Sequence, residues 1–296
     1  MRKAFTLVEI IFVLVVMGIL SAGTFKAIEM IYIRSAQAKA LTNLSLQSQV
    51  VLDQLSIFLY NRIPNSVIGY TPGGVCEPLN DLSTARPVLE WLGSMDDELL
   101  RGDYDGFVDM NASDKSSFTL SSPNTNILVN PDINLVFAGA FDAGSEEIQA
   151  CSGAFGWHGV NSNLSFDVSV GTNMIVIDDS VKPSFIYEKY YLTQTAYSVA
   201  RGVNVNLAAG CITDLNVSTS ANTLFLFYDY QPYSGETYCG DTGSGTTAGK
   251  ATVLAQDVTA FSAQEVNGII RLSIDMDQTI RGRTCGVHVS KQKAVF

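Results

Sequence analysis

The sequence predicts an α+β protein in which one long N-terminal helix packs on a mainly antiparallel β-sheet domain. Two observations lead to this fold class. An apolar run near the N-terminus continues into a stretch with helical periodicity, and the rest of the chain alternates short apolar segments with clusters of Gly, Ser, Asn and Thr. One long helix followed by many strands favours a sheet packed on the outer half of that helix.

The segment from residue 5 to residue 25 predicts a membrane-spanning helix. It contains a single charged residue, Glu9, among uncharged and mostly aliphatic residues. With a rise of about 1.5 Å per residue, a helix of this length crosses roughly the hydrocarbon core of a bilayer. An ionised carboxylate inside a membrane helix costs about 2.5–3.5 kcal/mol on insertion scales. We therefore expect Glu9 to have an interaction partner or a functional role.

Helical periodicity continues beyond the membrane segment, so the helix is expected to extend into the aqueous part of the protein. Pro64 disfavours helical geometry in the residue before it and is expected to end the helix. The predicted rod runs from Phe5 to Arg62, half in lipid and half amphipathic. Its apolar face consists of Leu41, Leu44, Val51, Leu55 and Phe58.

The segment from Asn65 onward predicts a β-rich domain, because short apolar alternations are separated by turn residues. One further helix is predicted at residues 88–100, where apolar residues are frequent. The predicted strands are the alternations at residues 164–170 and 270–276 and the runs NMIVI, FIYEKYYL, NTLFLFYDY and ATVLAQDVTAF.

At the N-terminus, Arg2 and Lys3 form a short basic leader, Ala4 is small, and the motif FTLVE precedes the apolar run. This pattern resembles the prepilin-type signal of type IV pilins and pseudopilins. The resemblance implies that a prepilin peptidase cuts between Ala4 and Phe5 and methylates Phe5, with alanine where the family usually has glycine. It also implies that Glu9 is the fifth residue of the mature protein and pairs with the N-terminal amine of an adjacent subunit.

The same resemblance implies a minor pilin or pseudopilin, a structural subunit of a type IV pilus or type II secretion filament. The order of the C-terminal segments is similar to that of the J-type pseudopilin and the W-type minor pilin. A bulky C-terminal domain suits a position at or near the filament tip, where the subunit would initiate assembly. The implied partners are the prepilin peptidase, other major and minor pilins or pseudopilins, the inner-membrane platform protein and, indirectly, the assembly ATPase.

The implied organisation has four parts and a single membrane pass. These are a leader at residues 1–4, a transmembrane and assembly helix at 5–25, its amphipathic continuation at 26–63, and an extracytoplasmic β-rich domain at 64–296. The protein would lie in the bacterial inner membrane with its C-terminal domain in the periplasm, and then in a filament or at the cell surface. The alternatives are a secretory signal peptide, an uncleaved anchor, a membrane-anchored binding protein or adhesin, and an anchored enzyme.

All five cysteines lie beyond the membrane segment, which fits an oxidising compartment. Connectivity cannot be deduced from sequence alone. Our preferred pairing joins Cys151 to Cys211 and Cys239 to Cys285. A zinc site is disfavoured, because the sequence lacks the two closely spaced pairs of ligands that would complete a tetrahedral set.

Charge and motif content argue against nucleic-acid binding and against catalysis. The formal net charge is -11, and no basic patch is evident. The two histidines are far apart in sequence, and neither a GxSxG nor an HExxH motif occurs. We therefore predict a protein that is not an enzyme, has no catalytic or metal-ligating residues, and needs no cofactor except in the case of a calcium loop.

The calcium prediction concerns the acidic segment RGDYDGFVDMNASD. On an EF-hand template, Arg101 falls at the first ligand position and Ala112 falls where the bidentate glutamate belongs. An EF-hand is therefore excluded. An irregular calcium loop formed by Asp103, Asp105 and Asp109 stays open.

Two segments match the acidic-extended sequon used by some bacterial oligosaccharyltransferases. They are DMNAS, centred on Asn111, and DLNVS, centred on Asn216. Both asparagines are candidate glycosylation sites, although short patterns of this kind also arise in any Asn- and Ser-rich surface.

Overall fold

The computed structural model describes residues 6–74, 76–78, 85–127, 132–141, 151, 154–159, 162, 164–243, 245–266, 269–280 and 286–295. Within these residues the chain forms three α-helices and seventeen strands. In chain order they are α1 (Leu7–Tyr60), β1 (Ile68–Tyr70), β2 (Cys76–Pro78), β3 (Val88–Leu92), α2 (Asp96–Arg101), β4 (Asp109–Asp114), β5 (Thr119–Ser121), β6 (Asn134–Phe137), β7 (Ser165–Gly171), β8 (Met174–Ile177), β9 (Tyr190–Thr193), β10 (Ala196–Arg201), α3 (Gly210–Thr213), β11 (Leu224–Tyr230), β12 (Glu236–Tyr238), β13 (Thr246–Ala248), β14 (Lys250–Ala255), β15 (Val258–Val266), β16 (Ile269–Thr279) and β17 (Gly286–Val295).

The strands form three antiparallel sheets and one short parallel pair. The first sheet has the order β14-β11-β10-β3-β1-β2, and the second has the order β4-β5-β8-β7-β6-β9. The third sheet, β15-β16-β17, contains the longest strands. The strands β12 and β13 form the parallel pair. The predicted fold class, a long helix with a mainly antiparallel β domain, is confirmed.

The predicted continuous helix is also confirmed, because α1 runs unbroken from Leu7 to Tyr60, and the placement of its first half in lipid stays a prediction. Its outer half packs on the third sheet and on one face of the first sheet. The contact is apolar: Leu52 and Leu55 of α1 belong to the same buried cluster as Leu272 and Ile274 of β16. The predicted apolar face needs one correction, because Leu41 is 49% exposed.

The helix predicted at residues 88–100 is wrong. Residues Val88–Leu92 form the strand β3, and helical structure is confined to Asp96–Arg101. All five residues of β3 are buried, and the strand lies between β1 and β10. A strand that is covered on both faces carries no alternation of apolar and polar residues, so periodicity cannot distinguish it from a buried helix.

Most of the other predicted strands are confirmed within a few residues, as β7, β8, β11 and β16. The run FIYEKYYL is strand only at its end, where β9 begins at Tyr190. The run ATVLAQDVTAF divides into β14 and β15, which belong to different sheets. Asp257 lies between them with φ of 61°, a left-handed conformation that Asp adopts more readily than most residues and that turns the chain.

Candidate functional site

The first turn of α1 contains the only carboxylate of the predicted membrane segment. Thr6 caps the helix, and its Oγ1 atom accepts a hydrogen bond from the backbone N–H of Glu9 at 3.4 Å. Thr6 and Glu9 have the spacing of a capping box, and a negative charge in the first turn interacts favourably with the helix dipole. The FTLVE motif therefore starts the helix as well as supplying a carboxylate. The predicted processing residues, Ala4 and Phe5, lie outside the described residues.

The first half of α1 does not pack on the described part of the β domain. Its apolar side chains are strongly exposed, for example Leu7 at 74%, Phe12 at 69% and Ile19 at 69%. In the described part of the chain, α1 is the helix long and apolar enough to cross a membrane. So large an exposed apolar surface requires lipid or other apolar helices around it.

Two disulfides lie at the periphery of the core of the first sheet. Cys76 in β2 is bonded to Cys151, and Cys211 in α3 is bonded to Cys239 after β12. Both predicted pairings are therefore wrong, since Cys151 does not pair with Cys211 and Cys239 does not pair with Cys285. Pairing depends on which loops the sheet brings together, and that information is tertiary. Cys285 lies outside the described residues.

A buried cluster of charged side chains lies at the centre of the first sheet. Glu90 in β3 is fully buried, and the hydroxyl of Tyr230 donates a hydrogen bond to its Oε2 atom at 2.8 Å. His158 Nε2 lies 2.9 Å from Glu90 Oε1, and His158 Nδ1 lies 3.4 Å from Asp241 Oδ2. The ring of Tyr70 stacks on the imidazole, with 3.6 Å between the ring centroids. His158 is thus enclosed between two carboxylates and an aromatic ring.

The electrostatics of this cluster make His158 a cation. Burial alone would lower the pKa of His158, but Glu90 and Asp241 outweigh burial and raise that pKa to about 10. Burial, and then the charge of Glu90, raises the pKa of Tyr230, so its hydroxyl stays protonated and donates to the carboxylate. Glu90, His158 and Asp241 therefore form a buried ion triplet, which we call the Glu–His–Asp triplet.

The Glu–His–Asp triplet was not predicted from the sequence, where the two histidines of the chain are far apart and suggest no site. Glu90 is 68 residues away from His158 in sequence, and nothing in the spacing indicates the contact. His158 has φ of 53°, in a short turn at Trp157–Gly159. An unusual backbone conformation and two buried carboxylates are visible only in the fold. Within the described residues, no group of three His, Cys, Asp or Glu side chains is arranged to hold a metal ion.

The three aspartates of the predicted calcium loop are engaged with protein groups. The donors are Arg101 Nε to Asp103 at 3.1 Å, Asn124 Nδ2 to Asp105 at 2.7 Å, and the backbone N–H of Asn111 to Asp109 at 2.9 Å. The structure does not bring these carboxylates together as one set of ligands, and calcium binding stays a prediction.

The two predicted glycosylation sites are both accessible. Asn111 is exposed in the edge strand β4, and Asn216 is exposed in the loop after α3, with φ of 52°. Exposure of the acceptor asparagine is necessary for modification, and glycosylation at these sites stays a prediction.

Residues 1–25 match a family model, the prokaryotic N-terminal methylation motif. No curated protein and no solved structure matches the chain. The motif, together with an exposed apolar half-helix that leads into a β domain, supports a pilin-type or pseudopilin-type subunit, and the resemblance of the N-terminus to the prepilin-type signal is confirmed. The similarity to the J-type pseudopilin and the W-type minor pilin stays a prediction. The family of this motif is structural rather than enzymatic. That the chain itself is not an enzyme stays a prediction.

Proposed function

We propose that the protein is a minor subunit of a type IV pilus or type II secretion filament that sits at or near the tip and initiates assembly. The proposal depends on one observation above all, the N-terminal methylation motif at residues 1–25, which includes the start of an apolar helix long enough to cross a membrane. The large β domain supports the tip position, because so much mass on one subunit is difficult to repeat along a thin shaft.

Assembly would depend on Glu9. An isolated carboxylate is costly in the hydrocarbon core. Attraction between opposite charges is far stronger in a low-dielectric environment than in water. Pairing of Glu9 with the terminal amine of a neighbouring subunit would therefore favour one register of the two helices. Cleavage after Ala4 creates that amine at Phe5.

The partners in this process would be the prepilin peptidase, other pilins or pseudopilins, the platform protein and, through it, the assembly ATPase. The β domain would lie in the periplasm before assembly. The two disulfides support that location, because disulfides persist in oxidising compartments.

The test is the incorporation of Glu9→Gln into filaments in a host that assembles them. This substitution removes the charge and keeps the size of the side chain. Glu29→Gln, which neutralises another carboxylate of α1, is the matched control. We expect both variants in the membrane fraction and only the control in sheared filaments. Incorporation of Glu9→Gln at the wild-type level would refute the pairing role.

A further inference from the structure

The outer edge of β17 is the longest regular sheet edge in the described part of the chain. All ten residues of Gly286–Val295 pair with β16, from Ile270 to Thr279, without a shift in register. On its other side, β17 has no strand neighbour among the described residues, because the order of the third sheet is β15-β16-β17. Such an edge presents a row of unpaired backbone N–H and C=O groups that another strand can bind.

The other edges of the three antiparallel sheets are short, irregular or covered, which protects them from pairing with another chain. In the first sheet, β2 has three residues, and the pairing of β14 with β11 contains a register shift. In the second sheet, β4 pairs irregularly with β5, and β9 has four residues. In the third sheet, Arg86 bridges to Ala263 on the outer side of β15. Compared with these edges, β17 is long, regular and without proline.

Lysines often protect an exposed strand, and the two lysines of β17 are instead turned towards α1. Lys293 Nζ lies 2.6 Å from Asp53 Oδ1. Lys291 Nζ donates a hydrogen bond to the backbone oxygen of Ser45 at 2.6 Å and lies 3.4 Å from Gln49 Oε1. Because both side chains are held against the helix, they leave the backbone groups of the edge open to a partner strand.

The side chains of β17 that face α1 specify the chemistry of a partner strand. Val289 is buried in the apolar cluster of α1 and the third sheet, and Val287 packs against the same cluster. Lys291 and Lys293 follow on the same face, because alternate residues of a strand share a face. Lys293 has a carboxylate partner, whereas both acceptors of Lys291 are uncharged. A strand laid along this edge would therefore meet two apolar side chains and then a cation.

We propose that the outer edge of β17 binds an extended segment of another protein by β-strand addition. In this mode of recognition, backbone hydrogen bonds supply affinity and alternate side chains supply specificity. The segment would place apolar residues opposite Val287 and Val289 and a carboxylate opposite Lys291, because opposite charges at directly paired positions stabilise a sheet. A second copy of β17 fits less well, because residues 286–295 contain two lysines and neither Asp nor Glu.

Binding of fluorescent peptides to the full chain in detergent, followed by anisotropy, tests the proposal. This assay needs no filament, so its result is independent of the proposed function. The probe Thr-Glu-Thr-Val-Thr-Val-Thr matches β17 in antiparallel pairing, and its reverse sequence matches β17 in parallel pairing. Replacement of Glu by Lys gives the charge-reversed control. N-methylation of every second residue, made in both phases, keeps the side chains and removes the backbone donors that face β17 in one phase.

We expect saturable binding of one of the two orientations and its loss in one N-methylated phase. Lys291→Gln should weaken binding of the Glu peptide about two- to fivefold, the size of one cross-strand charge pair. Lys250→Gln is the matched control, because it makes the same change in charge on the edge strand β14. The preference for the Glu peptide over the Lys peptide should disappear in Lys291→Gln only, and this ratio does not depend on the fraction of folded protein.

Hydrogen exchange locates the bound peptide. The saturating peptide should slow exchange of amides within residues 286–295, because strand addition gives hydrogen-bond partners to the N–H groups on the outer edge of β17. No saturable binding in either orientation, unchanged binding of both N-methylated phases, or protection confined to other segments would overturn the proposal. Binding of a peptide with the sequence of residues 286–295 in place of the Glu peptide would overturn the acidic partner and assign the edge to a second copy of the chain.

Discussion

Replacement of His158 by Gln should remove the cation from the Glu–His–Asp triplet and leave two carboxylates, one of them fully buried in β3, without compensation. Removal of one partner from a buried ion pair costs about 3–5 kcal/mol. The raised pKa of His158 gives a free-energy cost of similar size. A change from 6.5 to about 10 corresponds to roughly 4–5 kcal/mol of differential interaction with the protonated imidazole. We therefore expect His158→Gln to lower the free energy of unfolding by about 4 kcal/mol.

The pH dependence of this contribution has a definite sign. The folded protein holds the proton on His158 more tightly than the unfolded chain does, so the contribution is fully present below about pH 6.5. The contribution decreases as the pH rises towards 10, because His158 must then take up a proton on folding while the proton concentration in solution falls. Wild type should lose stability over this range, and His158→Gln should show a flatter profile.

Denaturant unfolding of the full chain in detergent, at several pH values between 6.5 and 10, measures both effects. The two tryptophans of the chain report on it directly, because Trp91 in β3 and Trp157 beside His158 are both buried. His288→Gln is the control, since that histidine is exposed and its ion pair with Asp277 is at the surface. A loss below about 1 kcal/mol, the range of surface pairs, or parallel pH profiles of wild type and His158→Gln, would refute the reasoning.

Further predictions concern one disulfide and the short helical turn Pro232–Ser234. Peptide mapping under non-reducing conditions should recover Cys76 linked to Cys151, and the double serine variant of this pair should lose about 2–5 kcal/mol of unfolding free energy in the same denaturant assay. Recovery of the native melting temperature in that variant would contradict a stabilising role. Gly156→Ala should lose about 1–3 kcal/mol, because a Cβ atom there meets the backbone of the Pro232–Ser234 turn and φ is positive. Gly210→Ala has open space around its Cβ position and should unfold like wild type in thermal melts.

The parts of the fold that follow from local patterns could be predicted from the sequence. The length of α1 follows from an apolar run and from a three-and-four spacing that ends near Pro64, and both signals lie within neighbouring residues. The strands with one exposed face, such as β7 and β16, alternate and were predicted for the same reason. The strand β3 was missed because its environment is apolar on both faces, and that environment is created by distant segments.

The candidate sites depend on contacts between distant segments more than the helices and strands do. Glu9 was recognised because a charge in an apolar run is visible in the sequence itself. Glu90, His158 and Asp241 come from a strand and two separate loops, and no pattern joins them before the chain folds. Disulfide connectivity failed for this reason too, because both correct pairs join segments that only the folded sheets bring together.

The mass of the N-terminal peptide of the protein, recovered from the membranes of its host, tests the central claim most directly. A pilin-type subunit should give a peptide that begins at an N-methylated Phe5, which would make Glu9 the fifth residue of the mature chain. A peptide that begins at an intact Met1, or one that begins near Thr24 after signal-peptide cleavage, would contradict the claim.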